Sequence, residues 1–253
     1  MTKRNLVLTV LAFSTPLVAQ DRGARGVPGN GLIDMPGNYV LQDDAVLRTH
    51  GAGILITASN VHLDLNGAVV QGPGGRIGTG IHVRGASGVH ITNGHVVNNA
   101  FGIIVENSNN VVLAGLQIRG EGLAVTMPPP ETGIMIVQSR NVVVKWNSIY
   151  NTGLGIFVRG GRSLGNQIIH NTITGGTNAV LGICYNPAPA DPQGPRGDLV
   201  ANNLISGFNI GLQFSDTSMA NVTRENTIAY RVMAVDFKNT TNLDLNNTKI
   251  QLP

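Results

Sequence analysis

A short apolar strand returns eight times along the chain, in all but the last copy directly after a glycine. It reads Ile54-Leu55-Ile56, Ile81-His82-Val83, Ile103-Ile104-Val105, Ile134-Met135-Ile136, Ile156-Phe157-Val158, Ile183-Cys184-Tyr185, Leu212-Gln213-Phe214 and Val235-Asp236-Phe237. About a dozen residues later a second strand closes on Asn66, Asn93, Asn147, Asn171, Asn203, Asn226 and Asn247, with Gly115 in that place in the third copy. Copies without insertions are 22 residues long, as at 81–102 and 134–155. A fixed period of this size built from strands predicts a solenoid, in which each unit can bury its apolar face only against its neighbours. Equivalent positions then stack into rows, so residues far apart in sequence can be assigned to one surface.

Two or three residues beyond the Asn a third short strand follows, marked by Val69, Val96, Ile149, Ile173, Ile205, Ile228 and Ile250. Three strands per period, with no helical spacing between them, exclude βαβ units. Each coil must turn three corners and land about 4.8 Å above its own start. The expectation is an all-β chain with three parallel sheets around a narrow apolar interior. Strand alternation puts Ile81, Val83, Ile103, Val105, Ile134, Ile136, Ile156 and Val158 inside. The recurrent Asn suits a sharp bend because it tolerates left-handed backbone, and stacked amides can hydrogen-bond along a ladder.

The repeats fill the chain after residue 20 and leave no room for a second domain, so 21–253 is expected to be one unit. Residues 1–20 read as a signal peptide: Lys3 and Arg4, then an apolar run from Leu6 to Ala19 that is too short to span a bilayer. The mature protein is therefore expected to be secreted or periplasmic, without a membrane span. Lys3 and Arg4 hold two of the 17 basic charges, against 14 acidic ones, so the remainder is almost neutral. With no basic stretch interleaved with aromatics, nucleic acid is not an expected partner. Cys184 is the single cysteine, which excludes an intramolecular disulfide.

The Gly-Ile-x-Val and Asn-Val-x-Leu-x-x-Asn-x-Ile patterns resemble the right-handed parallel β-helix of the pectate-lyase-like superfamily over about residues 31–253. The resemblance implies about eight coils with an Asn ladder at the turn between the second and third sheets. It also implies that the Gly-Ile-x-Val strands form the first sheet, which usually floors the active cleft. Polysaccharide lyases, glycoside hydrolases, epimerases, phage adhesins and proteins without known activity share that fold.

Function on a solenoid tends to sit where coils carry loops. Insertions are read at 71–80, 120–133 and 186–198, the last two stiffened by proline. Between them the first sheet presents one outward row of Leu55, His82, Ile104, Met135, Phe157, Cys184, Gln213 and Asp236. A second holds Thr57, Arg84, Glu106, Val137, Arg159, Asn186, Ser215 and Lys238. Lyase or epimerase chemistry on a uronate needs a cation on the carboxylate and a base for the adjacent proton. His82, Arg84, Glu106 and Arg159 are the candidate catalytic set, with Arg84 and Glu106 expected to pair across adjacent rungs. Ile104, Met135, Val137, Phe157, Cys184 and Glu131 are the candidate substrate-binding set.

Other chemistries fit less well. A hydrolase needs two carboxylates across the scissile bond, for which Asp216, Asp236 and Glu225 are the best set, although a polar coil capping the stack explains them equally. The six histidines show no ligand spacing, so neither a metal nor another cofactor is expected. A thiol without a neighbouring His makes Cys184 inert. A second functional reading stays open: a non-catalytic or small-molecule protein whose apolar row Ile104, Met135 and Phe157 binds an aromatic or aliphatic ligand, or a protein partner, including another copy of the chain.

Overall fold

A computed structural model describes residues 23–28, 31–46, 51–122, 131–189 and 191–253. The expected signal peptide at 1–20 lies outside the described residues, as does most of the insertion at 120–133. The described residues contain strands and turns but no helix, and the strands pair in parallel from each coil to the next. A short strand, Leu32–Ile33, pairs with Ala52–Ile56 and adds the start of one more coil before the eight expected.

The first sheet stacks Ala52–Ile56, Thr79–Arg84, Phe101–Glu106, Thr132–Val137, Leu154–Arg159 and Leu181–Asn186, then continues through the ends of Leu204–Phe214 and Thr227–Phe237. Its register follows the sequence rows residue for residue: Ile81 pairs with Ile103, Ile103 with Ile134, Ile134 with Ile156 and Ile156 with Ile183. All eight residues expected inside are fully buried. Burying each such side chain contributes roughly 2 kcal/mol, and in a chain without a disulfide these rows carry the stability. The glycine before each strand is explained by space. A Cβ on Gly102, Gly133, Gly155 or Gly182 would lie 2.4–2.6 Å from a carbonyl of the next rung or a methyl of Ile118, Ile149, Ile173 or Ile205. The third sheet therefore turns into the first around a row of missing side chains.

At the opposite corner the structure corrects the sequence alignment by one position. Ala114 pairs with Lys145 and Gln117 with Ser148, so Gly115 stands opposite Trp146, and Leu116 opposite Asn147. Two different rows had been merged. Asn66, Asn93 and Gly115 belong with Trp146, His170, Asn202, Glu225 and Asn246 in a row with φ between 52° and 64°. The ladder proper is Asn147, Asn171, Asn203, Asn226 and Asn247, one residue further on, and none of these is left-handed. Each ladder Oδ1 accepts the main-chain N–H of the rung before it: Leu116 to Asn147 (3.0 Å), Asn147 to Asn171 (3.0 Å), Asn171 to Asn203 (2.9 Å), Asn203 to Asn226 (2.9 Å) and Asn226 to Asn247 (2.8 Å). The bend row needs positive φ, and the ladder row needs an amide. The third-sheet row shifts likewise: Val70, not Val69, pairs with Val96, and Lys249, not Ile250, pairs with Ile228.

A second ladder, at the corner leaving the first sheet, was not foreseen. Val142 N–H donates to Asn166 (2.9 Å), Asn166 to Asp198 (2.8 Å), Asp198 to Asn221 (3.0 Å) and Asn221 to Asn242 (3.1 Å). Asp198, assigned above to the end of an insertion, is thus a buried rung of the coil. Asn221, which begins an Asn-Val-Thr glycosylation sequon, is fully buried in the same ladder.

Toward the C-terminal end the interior becomes aromatic, with Tyr185 stacked on Phe214 (4.5 Å between centroids) and Phe214 edge-on to Phe237 (4.9 Å). The Tyr185 hydroxyl is buried and meets no hydrogen-bond partner among the described residues. An unsatisfied buried hydroxyl costs about 1–3 kcal/mol, so Tyr185→Phe is expected to raise stability by about 1 kcal/mol in urea melts. A loss of stability would show that the hydroxyl is bonded.

Candidate functional site

The outward rows of the first sheet assemble as read. His82 pairs with Ile104, Ile104 with Met135, Met135 with Phe157 and Phe157 with Cys184, and two residues on Arg84, Glu106, Val137, Arg159 and Asn186 follow in register. Within them the candidate catalytic quartet divides. His82 Nε2 lies 3.1 Å from Glu106 Oε2, so the Glu106 carboxylate takes His82 as its partner in place of the expected Arg84, whose side chain stays exposed on the same face. Arg159 stands three rungs from His82, about 14 Å at the usual rung spacing. Its guanidinium lies over the Phe157 ring (5.4 Å) and donates through Nε to the Pro187 carbonyl (3.4 Å).

Burial lowers the pKa of His82 below the ordinary value of 6.5, with Arg84 adding to the effect, and these outweigh the pull of Glu106 in the other direction. The imidazole is then neutral at pH 7. A neutral ring holds this carboxylate contact by donating Nε2–H, which leaves Nδ1 as an unprotonated acceptor. The pair can therefore accept a proton at His82.

Two of the candidate binding residues lie off the open surface. Cys184 faces outward in register but is fully buried, covered by Asn186 Nδ2 (3.3 Å) and Gln213 Oε1 (3.7 Å). Burial pushes its thiol up to about 12, which keeps it protonated. Glu131 is 2% exposed, and its carboxylate accepts the main-chain N–H groups of Glu121 (2.9 Å) and Gly122 (3.0 Å), closing the base of the insertion. Glu121 in turn accepts Gly75 N–H (2.8 Å) and ties the insertions at 71–80 and 120–133 together. Ile104, Met135, Val137 and Phe157 remain half-buried on the outer face.

Of the carboxylates weighed for hydrolysis, Asp236 and Glu225 do not converge. Asp236 is held on the first sheet by Lys238 (2.9 Å) and Gln213 (3.1 Å), whereas Glu225 belongs to the bend row of the far corner. Among the described residues no group of three or more His, Cys, Asp or Glu side chains could hold a metal ion.

A concavity lies beside the first sheet, over the corner that leads to the second. It has a volume of about 550 Å³, and Gln138, Arg140, Arg162, Leu164, Asp191 and Arg196 are among the residues that line it. The loop after Asn186 forms one wall and is fastened by Asp191, whose Oδ2 accepts Gln138 Nε2 (3.0 Å) and Gly161 N–H (3.1 Å). The bond from Gln138 first, then those from the Gln193 and Gly161 N–H groups and the nearby Arg162 charge, hold the Asp191 carboxyl below its ordinary range. Sequence reading found the loop but not the groove. The available signal was that Arg140 and Arg196 each stand two residues before a position of the second ladder, at Val142 and Asp198.

A family model for the right handed beta helix region matches residues 33–186. The chain belongs to that family. No curated protein matches it. Among solved structures, this β-helix is similar to an alginate lyase from Paenibacillus sp. str. FPU-7, with TM-score 0.57 and 15% identity over 88% of this chain and 95% of that one. It is also similar to the enzymatically active domain of Bacteriophage CBA120 tailspike protein 2, with TM-score 0.58 and 10% identity, and there it spans 39% of the other chain. A DFA-IIIase from Arthrobacter chlorophenolicus A6 gives TM-score 0.57 and 15% identity, and 58% of that chain is spanned. At such identities the likeness is one of fold. No helix among the described residues is long and apolar enough to cross a membrane.

Proposed function

We propose that this β-helix is an exported protein that acts on an acidic polysaccharide by lyase or epimerase chemistry at the first sheet. The observation that carries this reading is the His82–Glu106 pair, 3.1 Å apart, on an outward face that also bears Arg84. A neutral imidazole beside a guanidinium suits removal of the proton next to a uronate carboxylate: His82 takes the proton, and Arg84 neutralises the charge that spreads onto the carboxylate. Expulsion of the glycosidic oxygen, which takes a proton from water or from the His82 imidazolium, then completes elimination, whereas delivery of a proton from water to the opposite face completes epimerisation. Arg159, about 14 Å along the stack, binds the polymer at a distance from the reacting unit. The fold shared with an alginate lyase supports the substrate class by analogy.

His82→Gln is expected to lower turnover of a responsive uronate polymer about a hundredfold with little change in KM. Because burial lowers the His82 pKa, the acid limb of wild-type kcat is expected below pH 6.5. Turnover that survives in the variant with the same acid limb would remove His82 from the reaction. A second reading, binding of an aromatic or aliphatic ligand or of another copy of the chain, draws on the half-buried row of Ile104, Met135 and Phe157. Arg159 over Phe157 and the basic lining of the groove favour the first reading. Binding of small aromatics, lost in Phe157→Ala, would favour the second.

A further inference from the structure

We propose that the corner groove is an oxyanion-binding subsite that holds a carboxylate- or sulfate-bearing segment of an acidic glycan outside the first sheet. The inference rests on the acidic-polysaccharide reading and extends it to residues beyond the His82–Glu106 pair.

Charge is the first ground. The groove is lined by three arginines, Arg140, Arg162 and Arg196, and by one acidic residue, Asp191. Its carboxylate is already committed: one oxygen accepts Gln138 and Gly161, and the other accepts Gln193 N–H (3.1 Å). None of the three arginines forms an ion pair with a carboxylate within 4.0 Å among the described residues. Three like charges around one concavity repel one another, and an anion placed between them relieves that repulsion. Arginine presents planar paired donors that match carboxylate and sulfate oxygens.

Geometry is the second. Arg140, Leu164 and Arg196 lie on successive rungs, joined by parallel bridges, so the two guanidinium groups rise from positions two rungs apart, about 10 Å. Between them Leu164 is 39% exposed, an apolar step on which a sugar ring can rest while the charged substituents reach either arginine. The opposite wall is rigid. Gln138 bridges Asp191 and the Arg162 main-chain N–H (2.9 Å), and a Cβ on Gly161 would meet the Gln193 Cβ at 2.5 Å. A preformed site loses little entropy on binding. The lining residues Asn107 and Gln138 directly follow the first-sheet strands that carry Glu106 and Val137, so a bound glycan continues from the groove onto the sheet.

The test is binding by calorimetry of the full chain to three probes: an oligouronate, a sulfated oligosaccharide of equal length and a neutral oligosaccharide. Wild type is compared with Arg162→Ala/Arg196→Ala, and with Arg224→Ala, which removes a guanidinium at the far corner. The expected result is binding of one or both acidic probes, weakened at least tenfold in the double variant and unchanged in Arg224→Ala. Melting temperatures should match, because the exposed side chains removed leave the ladder bonds intact. Equal affinity of the double variant and wild type for an acidic probe would overturn the groove while leaving the His82 reading in place. Equal affinity for the neutral probe would overturn it as well. Binding of the sulfated probe alone would keep the groove and overturn the uronate reading. No binding of either acidic probe by wild type would overturn both.

Discussion

Asn171→Leu is expected to remove about 4 kcal/mol of stability, whereas Asn247→Leu removes about 1 kcal/mol, although both delete a rung of the same ladder. Asn171 is 2% exposed. Its Oδ1 accepts the main-chain N–H of Asn147 (3.0 Å), and its amide donates to the Val144 carbonyl (2.8 Å) and to Asn203 Oδ1 (3.0 Å). Leucine fills the space and makes none of these bonds. The Asn147 N–H and the Val144 carbonyl would be left in a dry interior, at about 1–3 kcal/mol each. Asn247 ends the ladder and is half-exposed, so water replaces what its side chain gave up. Against a typical total of about 5–15 kcal/mol, the inner substitution brings the chain close to unfolding at 37 °C. Urea melts of the two variants decide the point. Equal and small losses would mean that packing alone holds the corner.

The ladder also shows how far the sequence could be read. The first-sheet register was legible because its signal is redundant: a glycine that leaves space for Ile118 or Ile149, two interior apolar positions, and a side chain facing out between them. The far corner gives a weaker signal, because two adjacent positions both favour Asn for different reasons. Asn93 is there for its left-handed backbone and Asn147 for its amide, and nothing in their spacing separates the two. Only the pairing of Lys145 with Ala114 does so, and it places Trp146, 61% exposed, in the left-handed row that Asn or Gly would ordinarily fill. At the site, the register brought His82 and Glu106 together, but rotamers decided that they, and not Arg84 and Glu106, make the contact. The groove was out of reach because corners differ in length from coil to coil. Residues 24 and 32 positions apart (140, 164 and 196) become neighbours there only once every insertion between them has been placed.

Asp198→Asn is expected to stabilise the protein at pH 8 by about 4 kcal/mol and to leave it nearly unchanged at pH 4. Asp198 occupies a ladder whose flanking rungs are Asn166 and Asn221, and it is 1% exposed. In that ladder the amide of Asn221 donates to the Pro195 carbonyl (3.3 Å) and that of Asn242 to the Ser218 carbonyl (2.9 Å), in each case three residues before the preceding rung. The corresponding group for rung 198 is the carbonyl of Ser163, which already accepts the Arg196 N–H (3.1 Å) and keeps a second lone pair for a donor. A carboxylate has none, and a carboxylic acid has one. Burial accordingly pushes the Asp198 carboxyl up to about 7, against the lowering effect of the bonds it receives from Asn166. The buried phenol of Tyr185 is close enough for its own pKa to be raised in part by the Asp198 charge. A folded-state pKa above the unfolded value means that the contribution of this group is fully present below about pH 4 and is lost as the pH rises through about 7. About three units correspond to about 4 kcal/mol. His82, with its pKa lowered, contributes in the opposite sense, so its stabilisation fades as the pH falls below 6.5. The difference between wild type and Asp198→Asn cancels that contribution and isolates rung 198. Urea melts of both proteins at pH 4, 5.5, 7 and 8.5 should give curves that meet at low pH and separate through neutrality. Parallel curves would show that Asp198 stays ionised in the fold, with a counter-charge at the ladder that keeps it so.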